Sequence, residues 1–93
     1  MEVRYKTRFK KALLSCPKHI QEAVFEIIVK LELAESIEKS NVDYKRMEGQ
    51  KKGGNYYRIR IGQYIMGLEY IHPEILLITI MIRGDIYKNF PPK

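Results

Sequence analysis

The chain has 93 residues, 17 Lys/Arg against 11 Asp/Glu, and a formal net charge of +6. That length allows one core, burying roughly 60–65% of the unfolded surface, and 45% hydrophobic residues exclude a disordered polyelectrolyte. The single cysteine, Cys16, excludes an intrachain disulfide, and the longest apolar-type run, Ile75 to Ile82, is far short of the ~18 residues a membrane-spanning helix needs.

The N-terminus has no apolar signal-peptide segment, so one soluble cytoplasmic domain over residues 1–93 is expected, without a membrane partner. Val3–Tyr5 suits a short strand. Thr7 offers an N-cap hydroxyl for a helix to about Ser15, with Phe9 and Leu13 on its apolar side and Arg8, Lys10 and Lys11 in water. Cys16–Pro17 breaks that helix. A second one is predicted from Pro17 to Ala34, because Ile20, Val24, Ile27 and Leu31 recur at helical spacing. Two helices across so short a break form a helical hairpin.

Residues 36–52 are polar and lack periodicity, and Gly53–Gly54–Asn55 marks a turn. The period then becomes two. Tyr56, Arg58 and Arg60 fall on one face of a strand, and Tyr57, Ile59 and Ile61 on the other. Gly62–Gln63 reads as a hairpin loop, residues 64–71 as a strand, His72–Pro73–Glu74 as a turn and residues 75–82 as the last strand. That strand is apolar on both faces, which predicts that it is covered. Pro91–Pro92 closes the fold.

Charge is placed unevenly. Residues 1–43 hold 8 Lys/Arg and 7 Asp/Glu, and residues 44–93 hold 9 and 4. A one-sided positive field suits a polyanion: nucleic acid, a membrane surface or an acidic protein. Arg58 and Arg60 project together about 7 Å apart along their strand, and two guanidiniums so placed repel unless an anion or carboxylate lies near. Either a phosphate grip or a solvated face with ion pairs, for instance to Glu69, satisfies that. Arg83 follows the last strand, before the bend expected at Gly84–Asp85. Tyr87 can stack on a base or pack on the sheet. Lys45, Arg46, Lys51 and Lys52 make the preceding loop basic, either as a mobile solvated segment or as a guide for RNA. His19 and His72 cluster neither with Cys16 nor with carboxylates, so no metal site is expected, and no phosphate-cradling glycine motif or nucleophile elbow is present.

These residues resemble, in order and spacing, the RelE/ParE toxin superfamily of bacterial toxin–antitoxin systems. The resemblance covers nearly the whole chain. It runs through Phe9–Lys10–Lys11–Ala12–Leu13, Pro17–Lys18–His19–Ile20–Gln21, Lys45–Arg46–Met47–Glu48–Gly49, Tyr56–Tyr57–Arg58–Ile59–Arg60–Ile61–Gly62–Gln63–Tyr64 and Arg83–Gly84–Asp85–Ile86–Tyr87. It implies an α+β fold, with an N-terminal strand and the helical hairpin packed on a roughly four-stranded, mainly antiparallel sheet. It also implies a cognate antitoxin and, for the RelE branch, cleavage of messenger RNA on the ribosome by attack of a ribose 2′-OH, with no cofactor.

On that resemblance Arg58, Arg60, Arg83 and Tyr87 are the catalytic set: the first two bind phosphate, Arg83 stabilises the transition state and Tyr87 orients RNA. Lys45, Arg46, Lys51, Lys52 and Tyr56 are the RNA-binding set. Two departures stand out. Ile65 occupies the place of an arginine that the family commonly carries after the hairpin tyrosine. Arginines also stand at 58 and 60, where some members have lysine. Arginine stays protonated and makes a poor base, which leaves Lys51, Lys52 and Tyr87 as candidates. The missing charge at Ile65 gives weight to a ParE-like inhibitor of DNA gyrase, or to a non-catalytic RNA-binding or antitoxin-binding relative.

Overall fold

Residues 56–82 do form the predicted strands, and they sit in a wider sheet than expected. The structure, a computed structural model, describes residues 1–92. Its elements are β1 (Glu2–Tyr5), α1 (Thr7–Leu14), α2 (Lys18–Leu33), β2 (Tyr44–Arg46), β3 (Tyr56–Ile61), β4 (Tyr64–Ile71), β5 (Glu74–Ile82) and α3 (Arg83–Asn89). The sheet has five strands, not four, in the order β1-β5-β4-β3-β2. β1 runs parallel to β5, and the other neighbours are antiparallel. The additional strand is β2, inside the segment read as a basic loop. It pairs with β3 through only three residues, too few to show a period.

Gly62, with φ 58°, takes the first position of the two-residue loop between β3 and β4, the glycine place of a type II′ hairpin. Thr7 is the first helical residue and not the cap. Lys6 stands at the N-cap without a side-chain bond, since its ammonium offers no acceptor, and its backbone N–H still donates to Leu77 O at 2.9 Å as the chain leaves the sheet. Pro17 precedes α2 at its cap, where its carbonyl accepts from Ile20 and Gln21.

α1 and α2 cover one face of the sheet. Phe9, Ile20, Val24 and Leu31 pack there against Ile59, Ile61, Met66, Leu68, Ile75, Leu77 and Ile80. Leu77 and Ile80 reach the same face because the register slips between Gly67 and Leu68, a bulge that inserts Ile78. Ile78 therefore turns to the other face. A second small core lies there, made of Met47, Ile65, Ile78, Ile86 and Phe90, with Tyr56, Leu76 and Met81 beside it. Its cover is α3, which stands where only a bend was expected. Gly84 and Asp85 are weak helix formers, so burial of Ile86 at 0% and Phe90 at 2% exposure holds this short helix. The chain stays packed through Pro91. β5 is thus apolar on both faces because both are covered.

Candidate nucleic-acid interface

The face under α3 carries the charge. On β3, Arg58 stands directly opposite Lys45 of β2 and Gly67 of β4, so Arg58 and Lys45 project to the same side. α3 begins directly after β5, and its first residue is tied down by the Arg83 N–H, which donates to Gln63 O at 2.8 Å. Arg83 and Tyr87 are four residues apart and share a side of the helix, while Ile86 and Phe90 take the side that packs on the sheet. A cleft of about 320 Å³ results, lined by Lys45, Arg46, Met47, Glu48, Arg58, Arg83 and Tyr87.

The four cations of this cleft, Lys45, Arg46, Arg58 and Arg83, have no ion pair among the described residues; the paired arginines and lysines are Arg4, Lys39, Arg60 and Lys88. Arg58 Nη1 is shut off from solvent and has no hydrogen-bond partner among the described residues. Leaving a buried donor unsatisfied costs about 1–3 kcal/mol, and more when it is charged. Such a nitrogen suits an anion that enters from the cleft. Tyr87 is half exposed, so it is not the packed aromatic of the plainer reading.

The other expected residues divide. Arg60 shares the face of Arg58 but does not line the cleft. Its Nε lies 3.9 Å from Asp43 Oδ2, and its N–H donates to Asp43 O at 3.0 Å. Arg46 borders the cleft, yet by register it stands opposite Tyr57, on the helix-covered side. Its guanidinium lies over the Tyr57 ring and donates to Gly54 O. Lys51, Lys52 and Tyr56 line a separate depression with Gly53, Gly54, Glu69 and Pro92. Tyr56 is largely a packing residue there, edge to face with Phe90 at 5.4 Å.

Glu48 joins the cleft unforeseen, because it follows a strand that the pattern does not reveal. Ile65 is 1% exposed and opposite Arg60, so it does share the arginine face, but as part of the small core beneath α3. Among the described residues no three His, Cys, Asp or Glu side chains gather as a metal site would require. Cys16 lies in the main core, away from this face. Burial pushes its thiol above the ordinary range. No helix among the described residues is long and apolar enough to cross a membrane.

No family model matches the sequence. The curated Toxin RelE3 of Methanocaldococcus jannaschii is 33% identical over 91 residues, 98% of this chain and 100% of that protein. Among solved structures, the RelB–RelE antitoxin–toxin complex from Methanococcus jannaschii superposes with a TM-score of 0.77 at 32% identity, covering 95% of this chain and 99% of that one. The archaeal RelE–RelB complex from Pyrococcus horikoshii gives 0.66 at 26%, covering 90% and 96%. YafQ from E. coli, at 8% identity and 0.65 over 92% and 97%, shares the fold. With a third of its residues identical over almost the full length of both chains, this protein belongs to the RelE family of toxins.

Proposed function

We propose that this toxin cuts messenger RNA on the ribosome and is restrained by an antitoxin protein of the kind bound in the two similar complexes. The observation that carries the proposal is the buried nitrogen of Arg58, without a partner among the described residues, in a cleft that also gathers Lys45, Arg83 and Tyr87. A phosphodiester supplies what that set lacks: a compact anion with several acceptor oxygens.

In the reaction the 2′-OH oxygen attacks the adjacent phosphorus and the P–O5′ bond breaks. The 2′-OH proton passes to a base and a proton reaches the departing 5′-oxygen, leaving a 2′,3′-cyclic phosphate and a 5′-OH. Arg58 and Arg83 hold the phosphate and stabilise the charge of the phosphorane. Lys45 adds a third positive charge beside them. Tyr87 stacks on or orients the base. Lys51 and Lys52 lie off the cleft, so Glu48 joins Tyr87 as the group placed to accept the 2′-OH proton. Arg60, outside the cleft and beside Asp43, is left to flanking backbone.

Ile65 is packed in the small core beneath α3, so the missing charge there no longer argues for gyrase inhibition. Cell-free translation with the purified protein tests the proposal: message 5′ ends are mapped beside a gyrase supercoiling assay. Cleavage only with ribosomes is expected, slowed about 10²–10³-fold by Arg58→Ala or Arg83→Ala. Intact message beside inhibited gyrase overturns it.

A further inference from the structure

Gly67 stands directly opposite Arg58 on the neighbouring strand. The space its side chain would fill is taken by the ring of Phe90. A Cβ built on Gly67 would lie 2.9 Å from Phe90 Cδ2 and Cε2 and 3.1 Å from Cγ, closer than carbon atoms pack. Opposite residues in an antiparallel pair have Cβ atoms about 4.5–5.5 Å apart, so the ring seats on the sheet at the position that neighbours Arg58 across the strands. Phe90 is buried and meets Tyr56 edge to face, and its N–H donates to Ile86 O at 2.9 Å, closing the last turn of α3. The ring is therefore tied to the helix that carries Arg83 and Tyr87. Where it seats on the sheet fixes where those two side chains stand relative to Arg58.

We propose that Phe90, seated on Gly67, is a positioning residue that sets Arg83 and Tyr87 against Arg58 and so governs the rate of RNA cleavage without touching RNA. The proposal rests on the reading of the cleft given above. A misplacement of about 1 Å in such a constellation costs about 10²-fold in rate. A methyl at Gly67 displaces the ring by a fraction of that and leaves the main core under α1 and α2 untouched.

The test is cleavage of ribosome-bound message by the full chain, with kcat and KM separated. Gly67→Ala lowers kcat about 10–100-fold, while KM and the melting transition change little. The double variant Gly67→Ala/Phe90→Leu, whose smaller side chain makes room for the methyl, recovers most of the loss. If Gly67→Ala does not fold, Phe90→Leu alone, which only removes atoms, decides by its own fall in kcat. Arg58→Ala is run beside them. Wild-type kcat in Gly67→Ala and Phe90→Leu, with Arg58→Ala crippled, overturns the positioning role and leaves the cleft standing. So does a Gly67→Ala loss that the double variant fails to recover. Wild-type kcat in Arg58→Ala overturns the cleft itself.

Discussion

Ile65 stands opposite Arg60, where the family resemblance leads one to expect an arginine. Restoring that charge looks like a route to a stronger toxin. The burial of Ile65 at 1% exposure, among Met47, Ile78, Ile86 and Phe90, argues the opposite. An arginine there has no carboxylate partner in the cluster, and an uncompensated buried charge costs about 3–5 kcal/mol. Ile65→Arg is expected to lose about that much stability in urea titration and to loosen α3, slowing cleavage. A variant as stable as the parent that cleaves faster would sink this account. The same contrast separates the two arginines of β3. Strand alternation puts Arg58 and Arg60 on one face, and it does so correctly. It carries no information about Asp43, a residue at the end of an irregular segment, which engages Arg60 and leaves Arg58 to the cleft.

Among the elements, the segment between α2 and β2 is the one whose order is hidden from pattern. It looks polar, yet Ile37 is fully buried, and its N–H donates to Tyr70 Oη at 3.3 Å. The same hydroxyl meets His72 Nδ1 at 2.9 Å. Tyr70→Phe leaves the Ile37 N–H buried without a partner, so a loss of about 1–3 kcal/mol is expected. Hydrogen exchange should report faster opening of residues 35–43 before that of β4. An unchanged urea midpoint would show that the bond is dispensable. Long elements with sustained periods, namely α2, β3, β4 and β5, were legible from their apolar spacing. β2 and α3 were not, since three paired residues or seven helical ones containing Gly84 depend on partners distant in sequence. The cleft is built from those two short elements against β3. Arg58, Arg83, Tyr87 and Lys45 could therefore be found by residue type, whereas Glu48, and the exclusion of Lys51 and Lys52, needed the fold.

For the whole molecule, the question is how much of the +6 charge acts on RNA. The 44–93 half holds five more basic than acidic residues, 9 against 4, and the 1–43 half only one more, 8 against 7. A diffuse field would let every cation contribute to binding in equal measure. The cleft instead singles out Lys45, Arg58 and Arg83, which line it without an ion pair among the described residues. It discounts Arg46, whose guanidinium is engaged by Gly54 O and the Tyr57 ring, and Arg60, which lies outside the cleft beside Asp43. Neutralising each phosphate of single-stranded nucleic acid releases counterion with a slope of about −0.7 in log K against log salt. Three engaged cations thus give a slope near −2 for a short single-stranded oligoribonucleotide that cannot be cleaved. Arg83→Ala should reduce its magnitude by about 0.7 and weaken binding, while Arg60→Ala leaves the slope near the parent value. Fluorescence anisotropy titrations from 50 to 300 mM salt (roughly a sixfold range in a counterion-release plot) read this directly. Equal changes for the two variants would mean that RNA senses the charged face as a whole, and the cleft would lose its claim to be the binding site.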